Sequence, residues 1–363
     1  MNNALTALDT VGSGSYLADD VHFLLQPMQM SATDVLEKER LIQSREKHYS
    51  EMISTESAPS ATHMALYEHA MTQNAGRMAA DVQSLALALD HLYPGPTIAL
   101  VSFVRAGLPL GVLLRRALLD KGRDTSHYGI SIVRDRGIDT VALEAIIARH
   151  GAENVVFVDG WTGKGAISGE IKRSLAGDSR FPETPRLVVL ADPCGRAWLA
   201  ASSDDWIIPS GILGATVSGL ISRSIWPANG GLHGCVMYSH LEAHDVTRDF
   251  IDRIEAIRQD IDVDAAQPWT STQASALQQL AQGTVDQLAS RFQITNMNRV
   301  KPGIAEATRA VLRRVPFKVL VRDRADIDVQ LLMHLTERAH VDVEEAGDAL
   351  GPYRAVTIIK SVS

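Results

Sequence analysis

The chain has 363 residues, of which 45% are hydrophobic, so it can bury an ordinary globular core, and its formal net charge is −8 at pH 7. No run of about 18 apolar residues occurs, and the N-terminus MNNALTALDT lacks a basic segment followed by an apolar one, so neither a membrane span nor a secretory signal is expected. The two cysteines are too few for a disulfide framework, and a cytoplasmic location is predicted.

Residues 1–95 are predicted to form a helical segment that packs on the core. The stretch DVLEKERLIQSREKHYSEMI is rich in helix formers, and a longer helical pattern runs over residues 62–92. Pro94, Gly95 and Pro96 then interrupt the pattern.

Residues 96–260 alternate between short apolar runs and helical patterns. The runs TIALVSF, HYGISIVRD, NVVFVD and LVVLADP predict strands, and the segments between them predict helices. This alternation predicts an α/β fold, a mostly parallel sheet flanked by helices. The Gly- and Ser-rich stretch at 204–240 is expected to supply loops that face a ligand, and a polar helix is expected at about 242–260.

The remainder divides into a linker and helix at 261–295 and a small α/β unit at 296–363. The last 68 residues contain 11 Lys and Arg and 9 Asp and Glu, a net of +2, so the preceding 295 residues carry −10. The early basic residues of this unit form a patch that suits an anionic partner such as RNA, although a solvated helix face is the alternative. They are Arg299, Lys301, Arg309, Arg313, Arg314 and Lys318.

One strand-to-helix turn has the composition of a phosphate site. Asp159 ends the run NVVFVD and can accept from vicinal hydroxyls, while the backbone of Thr162, Gly163, Lys164 and Gly165 can surround a phosphate. The spacing is too short for a P-loop, and Gly165 stands where Ser or Thr would hold Mg²⁺.

A second turn of this kind, VRAG, follows the strand TIALVSF. Arg105, Ala106 and Gly107 precede a helix and can meet another anion. Two anion-binding turns on neighbouring strands predict a ligand with two phosphate groups.

In this order the two turns resemble those of type I phosphoribosyltransferases. The resemblance implies a Mg²⁺-dependent enzyme in which Asp159, Arg105 and Arg134 are catalytic and 5-phosphoribosyl diphosphate is bound at both turns. It also implies a mobile loop at about 123–137 that carries His127, Arg134 and Arg136. The family's second acid is replaced here by Gly160.

Other segments, including SYLADDVHFLL, SIVRDRGID and PSGILGATVSGLISRS, resemble the bacterial StiP family of tellurium-resistance and stress operons, also described as phosphoribosyltransferases, over nearly the full chain. The expected acceptor side for an unidentified small molecule is Ser210, Gly211, Ser218, Ser222 and Arg223.

The segment KPGIAEATRAVLRR resembles the RNA-binding signature of kink-turn and Pelota-type domains, with Ala305 in place of Asn. Gly303 before a helix is expected to leave N–H donors exposed to a phosphate backbone. The residues expected to bind RNA are Lys301, Gly303, Glu306 and Arg309.

Three functions are therefore considered. The first is transfer of ribose 5-phosphate to an unknown acceptor, a nucleoside-like metabolite or RNA-linked group, in a stress or tellurium-resistance system. The second is a non-catalytic phosphoribosyl or nucleotide sensor coupled to RNA binding. The third, suggested by the StiP label, is a cysteine protease using Cys194 or Cys235, although neither thiol has an evident base with an orienting partner; His233 lies two residues before Cys235.

Overall fold

The computed structural model describes residues 9–93, 95, 97–228 and 230–361, so Pro94 and Pro96, at the first expected boundary, lie outside the described residues. The N-terminal part contributes two short strands and two helices: β1 (His22–Phe23), β2 (Gln26–Pro27), α1 (Val35–Gln43) and α2 (Ala61–Leu92). The Ser60 side chain accepts from the backbone N–H of His63 and so caps the start of α2.

The middle of the chain builds a six-stranded sheet. Its elements, with a short hairpin and three helices between them, are β3 (Thr97–Phe103), α3 (Gly107–Asp120), β4 (Asp124–Ile130), β5 (Ile132–Val133), β6 (Gly137–Ile138), α4 (Thr140–His150), β7 (Val155–Val158), α5 (Ala166–Ser174), β8 (Leu187–Ala191) and β9 (Leu199–Ser202). The strand order is β1-β4-β3-β7-β8-β9, and every neighbouring pair is parallel.

Both faces of this sheet are buried. Leu100 in β3 packs in the apolar cluster that contains α2 and α3, whereas its neighbour Val101 packs in the cluster on the α4 and α5 side. Because successive side chains of a strand point to opposite faces, a strand buried on both sides is apolar throughout, which is why TIALVSF does not alternate.

After the sheet come α6 (Pro209–Ile212), β10 (Gly234–Cys235), which pairs with β2, and the helices α7 (Thr247–Arg258) and α8 (Ser271–Arg291). The C-terminal unit then follows as β11 (Val300–Pro302), α9 (Ile304–Arg313), β12 (Pro316–Val321), α10 (Gln330–Arg338), β13 (Asp342–Glu345) and β14 (Ala355–Ile359). Its sheet has the order β11-β14-β12-β13. In this unit α9 packs on α6 and α10 packs on α2, so the unit is seated on the body of the protein.

The predicted fold class is confirmed: a parallel α/β sheet flanked by helices, followed by a small C-terminal α/β unit. The predicted boundaries at 95/96, 260/261 and 295/296 stay predictions. Among the described residues, none of the helices has an apolar stretch long enough to cross a membrane.

Several predicted elements differ in extent. The helix expected from Asp34 ends at Gln43, because Arg45 takes a positive φ of 63° that a helix does not accommodate. The run HYGISIVRD is divided between β4 and the β5–β6 hairpin, in which Asp135 also has a positive φ, of 68°. The polar helix expected from about residue 242 begins at Thr247.

Candidate functional site

The carboxyl ends of β3 and β7 lie side by side, and the loops that follow them border a cavity of about 340 Å³. Across the cavity stands α9 of the C-terminal unit. The two loops pack backbone against backbone: a Cβ on Gly107 would lie 2.2 Å from the carbonyl oxygen of Val158, and one on Gly160 would lie 2.9 Å from that of Ala106. Glycine at both positions permits this approach, so the structure brings together the two turns predicted from the sequence.

Asp159 lies at the floor of the cavity and is 8% exposed. Its Oδ1 accepts from the backbone N–H of Gly160 at 2.8 Å. Burial raises the pKa of this carboxyl to about 7, against the opposing effects of that hydrogen bond and of the Arg309 charge. The acid is therefore partly protonated at neutral pH.

The wall of the cavity is strongly cationic. Within the described part of the chain, two acids, Asp159 and Glu306, line it beside nine cationic side chains, namely Lys38, Arg105, Arg134, Lys164, Arg223, Lys301, Arg309, Arg313 and Arg314. These cations come from the N-terminal helix, the sheet loops and the C-terminal unit.

Burial and mutual repulsion act on the lysines of this wall. Burial, with the charge of Arg223, lowers the pKa of Lys38 to about 7, and burial with the charge of Lys301 lowers that of Lys164 to about 7. Burial lowers the pKa of Lys301 to about 8 although Glu306 opposes the shift. Burial alone would raise the pKa of Glu306, but Lys301, Arg134 and Lys164 bring it to about 2.

Arg105 is held by protein groups. It donates to the carbonyl of Ile221 at 2.9 Å and to the carboxylate of Glu56 at 3.0 Å. Glu56 also accepts from the backbone N–H of Ala215 at 2.5 Å and lies 3.9 Å from Arg313. Burial would raise the pKa of Glu56, yet Arg105 and Arg313 lower it to about 2.

The expected mobile loop at about 123–137 is wrong for much of its length, because seven of its fifteen residues form the interior strand β4 and two more form β5. His127 is buried there, with Nε2 2.7 Å from the Ser102 Oγ and Nδ1 2.9 Å from the Asp20 carbonyl. Burial lowers its pKa to about 4. Arg134 reaches the cavity from the hairpin turn, whereas Arg136 pairs with Glu51 at 2.5 Å.

The expected acceptor side is only partly assembled. Arg223 lines the main cavity, and Gly211 lines an adjoining cavity of about 450 Å³ that shares Arg105, Arg309 and Arg313 with it. Ser210, Ser218 and Ser222 are buried and line neither cavity. The Ser218 Oγ donates to the Gly214 carbonyl at 2.7 Å, and the Ser222 Oγ accepts from the backbone N–H of Val236 at 2.9 Å, so both serve the packing of their own loops.

Of the residues expected to bind RNA, Lys301, Glu306 and Arg309 face the same cavity from the opposite side, whereas Gly303 does not line it. Lys301 is 5% exposed and its Nζ lies 3.4 Å from Glu306, and the Arg309 guanidinium lies 4.5 Å from the centre of the Trp161 ring. The expectation that Gly303 leaves exposed donors is wrong, because the backbone N–H of Ile304 donates to the Asp205 carboxylate at 3.0 Å.

Both thiols are buried, Cys194 at 2% and Cys235 at 0% exposure. The Cys194 Sγ donates to the Thr162 Oγ1 at 3.1 Å, and Thr162 in turn donates to Asp192 at 2.5 Å. His233 bonds through Nδ1 to the Ser131 Oγ at 2.6 Å. Among the described residues, no histidine ring is hydrogen-bonded to either thiol.

The carboxylates of the site do not form a metal cage. Within residues 9–361, apart from the three undescribed positions in that range, no group of three or more His, Cys, Asp and Glu could hold an ion. Asp159 is the one acid of its loop, and the expected Mg²⁺ stays a prediction.

Several residues of the site could not be identified from the sequence. Glu56 accepts a hydrogen bond from Arg105, which is 49 residues away in sequence. Asp205 accepts one from the backbone of Ile304, which is 99 residues away. Arg313 and Arg314 were predicted only as part of a basic patch, although the four-residue spacing of Arg309 and Arg313 indicates one helix face. Nothing in the sequence places Lys38 near them.

The architecture defines an α/β protein with a cationic cavity between its parallel sheet and a small C-terminal unit. Residues 14–255 match the family described as tellurite-like stress resistance cysteine protease StiP, and residues 279–361 match the PELOTA RNA binding domain. A protein of Acinetobacter baylyi (strain ATCC 33305 / BD413 / ADP1) named cysteine protease StiP is 54% identical over 363 residues, covering 96% of this chain and 94% of the relative. The chain belongs to the StiP family, as the sequence predicted.

Two solved structures of hypoxanthine phosphoribosyltransferase from Trypanosoma cruzi also match. They are 16% and 18% identical, cover 48% and 50% of this chain and 86% of each of those chains, and have TM-scores of 0.24. The second is a mutant form complexed with the product IMP. These scores carry no argument about activity.

The predicted phosphoribosyltransferase activity is wrong: the family and the relative are both named for cysteine proteolysis. The expected classification of the enzyme as a transferase is wrong for the same reason. 5-Phosphoribosyl diphosphate is unsupported as a partner. Two features of the site agree with this correction. Gly160 stands where a second acid was needed, and Arg105 is already bonded to Glu56 and Ile221.

Proposed function

We propose that this chain is a cysteine protease. The support is its place in the StiP family and its 54% identity with a relative that is named for that activity. The sequence contains two cysteines, so the nucleophile of such an enzyme is Cys194 or Cys235.

Cys194 is the better-placed nucleophile, because its thiol is hydrogen-bonded to Thr162, a residue that borders the main cavity. Its loop is held by Asp192, which accepts from the backbone N–H groups of Arg196 and Ala197 at 3.0 and 2.8 Å. Cys235 instead belongs to the main apolar cluster, and its thiol makes no hydrogen bond within the described part of the chain. The hydrogen bond from Cys194 to Thr162, which borders the cavity, is the observation that favours Cys194 over Cys235.

The conformation described here keeps Cys194 inactive. Helix α8 covers its loop so closely that a Cβ on Gly195 would lie 2.7 Å from the Ala274 carbonyl oxygen. Burial, with the negative charge of Asp192, raises the thiol pKa far above its usual range. Because the thiolate is the nucleophile, we infer that hydrolysis requires α8 to move away and a base to approach, and that this form is latent.

The test compares Cys194→Ser with Cys235→Ser in the full chain, using a quenched fluorescent protein substrate and an iodoacetamide probe. Because this form is latent, we expect the parent to hydrolyse the substrate and react with the probe only slowly, Cys194→Ser to abolish both reactions, and Cys235→Ser to retain them. Hydrolysis that persists in the double variant would refute cysteine chemistry. Loss confined to Cys235→Ser would instead move the nucleophile to Cys235.

We also propose that the C-terminal unit binds RNA. The match of residues 279–361 to the PELOTA RNA binding domain and the net positive charge of residues 296–363 support this. Since Lys301, Glu306 and Arg309 face the body, RNA would reach them only when the unit moves away. Fluorescence anisotropy with single-stranded and structured RNA, over a range of KCl concentrations, tests the proposal; an affinity that does not fall with salt would contradict phosphate contact.

A further inference from the structure

Cys194 packs in the core of the C-terminal unit rather than in the core of the body. It belongs to an apolar cluster whose other buried members run from Ala281 in α8 to Ile358 in β14. Among the described residues of that cluster, Cys194 is the one member from the parallel sheet and its loops. Because the residue is 2% exposed, its thiol becomes reachable only when α8 and the C-terminal unit separate from the sheet.

Helix α8 is bound to the Cys194 loop by polar contacts as well. The Gln278 side-chain nitrogen donates to the Gly195 carbonyl at 2.7 Å. Just before α8, the Trp269 indole N–H donates to the Asp192 carboxylate at 2.9 Å. The first half of α8 is therefore fixed to the segment that carries the thiol.

A second loop beside the thiol is held by the C-terminal unit itself. This loop contains Thr162, the hydrogen-bond partner of the thiol. The Tyr353 hydroxyl donates to the Gly163 carbonyl at 2.9 Å, and the Lys164 Nζ donates to the Val300 carbonyl at 2.9 Å. Both loops around the thiol are thus bonded to α8 or to the unit that follows it.

The face that closes over these loops is also the face expected to bind RNA. Lys301 follows Val300 in β11, and Lys301 and Glu306 border the cavity between the unit and the sheet. Lys301 is 5% exposed, so a polymer reaches it only after separation. A ligand that binds the separated form alone shifts the population of molecules towards that form.

Two arginines of the unit are paired with carboxylates of the body and remain partly exposed. Arg314 lies 2.6 Å from Glu39, and Arg354 lies 3.1 Å from Asp204; the two arginine side chains are 23% and 25% exposed. RNA phosphates compete with these carboxylates for the same guanidinium groups, because the N–H fork of arginine binds both kinds of anion. This competition lowers the free energy needed to separate the unit from the body.

We propose that RNA activates the protease: RNA that binds the C-terminal unit holds this unit and α8 away from the sheet and so uncovers Cys194. The inference rests on the proposed function, since it takes Cys194 as the nucleophile and the C-terminal unit as the RNA-binding part. Separation breaks non-covalent contacts only. The coupling is reciprocal, so whatever loosens the unit raises both the affinity for RNA and the reactivity of Cys194.

Iodoacetamide labelling of the full chain carrying Cys235→Ser tests the coupling, because Cys194 is then its single thiol. The probes are poly(U) and a short RNA hairpin, each at a concentration that saturates binding in fluorescence anisotropy. We expect bound RNA to raise the labelling rate by about tenfold or more, and high KCl to remove this effect together with the RNA. An unchanged rate in the RNA-saturated protein would overturn the proposal, and so would an absence of RNA binding.

Hydrolysis of the quenched substrate, measured in the same solutions, separates this proposal from the protease assignment. Faster labelling together with faster hydrolysis supports both. Faster labelling without any hydrolysis would support the RNA-driven exposure of Cys194 and refute proteolysis. Hydrolysis that depends on Cys194 but does not respond to bound RNA would support the protease and overturn the coupling.

A variant on α8 tests the contact without RNA, in the same Cys235→Ser chain. Gln278→Ala removes the bond to Gly195 and should raise both the RNA-free labelling rate and the affinity for RNA, severalfold in each case. Gln282→Ala is the matched control, because this exposed side chain of the same helix bonds to Asp286 within the helix. Unfolding exposes a thiol but does not tighten RNA binding, so faster labelling of Gln278→Ala with unchanged or weaker RNA affinity would count against the coupling.

Discussion

Asp205 caps a helix that lies 99 residues further along the chain: each of its carboxylate oxygens lies 3.0 Å from the backbone N–H of Ile304, the first residue of α9. Oδ2 also accepts from the backbone N–H of Arg354 at 2.8 Å. One buried side chain of the body therefore fixes two segments of the C-terminal unit, and it takes the place at α9 where a phosphate of RNA was expected.

Replacing Asp205 should lower the stability of the protein markedly. Asp205→Ala leaves two buried N–H groups without acceptors, so we expect the free energy of unfolding to fall by about 2–4 kcal/mol. Asp34→Ala, which removes the exposed cap of α1, should cost about 1 kcal/mol. Urea denaturation followed by circular dichroism measures both, and equal losses in the two variants would mean that the Asp205 contacts add nothing beyond an ordinary cap.

Gly163 should tolerate no side chain, because a Cβ there would lie 2.9 Å from the main-chain oxygen of Pro302 in the C-terminal unit. We expect Gly163→Ala to lower the free energy of unfolding by about 1–3 kcal/mol. Gly169→Ala in α5, where nothing lies within 4 Å, should instead raise it by about 0.5–1 kcal/mol. Chemical denaturation of both variants checks the contrast, and a neutral Gly163→Ala would show that the two units do not meet there.

Asp159 should make the protein less stable as pH rises. The folded pKa is about 7 and the usual value is 3.8, so between these values the folded chain keeps a proton that the unfolded chain releases. The stabilisation is complete below about pH 4 and is lost as pH rises through 7, by on the order of 2–4 kcal/mol.

Asp159→Asn should flatten that part of the pH dependence and make the variant more stable than the parent at pH 8. Urea denaturation at pH 5 and pH 8 gives the comparison. Asp205, with a pKa raised by burial to about 7, changes stability in the same direction in both proteins and cancels in the difference. Parallel pH profiles of parent and variant would contradict the assignment.

RNA affinity should increase when the C-terminal unit is loosened from the body. The double change Glu39→Ala and Asp204→Ala removes body-side partners of Arg314 and Arg354 and leaves residues 279–361 unaltered. We expect severalfold tighter RNA binding with a steeper salt dependence, because more phosphates are neutralised.

Glu144→Ala is the matched control, since it breaks an ion pair with Arg180 that lies wholly within the body. Anisotropy titrations at two KCl concentrations suffice. If the double variant and the control bind RNA alike, the buried position of Lys301 and Arg309 does not limit binding.

The central strands were predictable because burial on both faces of the sheet requires an unbroken run of apolar residues. TIALVSF coincides with β3, and NVVFVD differs from β7 by one residue at each end. The strands β1, β2 and β10 were not predicted, since each has two residues and exists only through pairing with distant partners. Likewise β13, with the sequence DVEE and no buried residue, has no apolar pattern to find.

The loop residues of the site could be predicted from the sequence, whereas the contacts between its walls could not. Asp159, Thr162 and Gly163 are local features of one turn, and a turn has a sequence signature. The approach of Arg309 to Trp161, or of Cys194 to Thr162, depends on how separate elements dock, which spacing does not encode. Membership of the StiP family corrected the phosphoribosyltransferase activity that the resemblance of the loops had suggested.

The pairing of Glu39 with Arg314 has a consequence for the order of events during synthesis. The two residues are 275 positions apart, and Glu39 is almost fully covered in the finished protein. At about 5–20 residues per second, a ribosome needs roughly 15–55 s to make the intervening chain. For that interval the nascent N-terminal region carries a carboxylate whose partner does not yet exist, and the cationic cavity can close only when translation is nearly over.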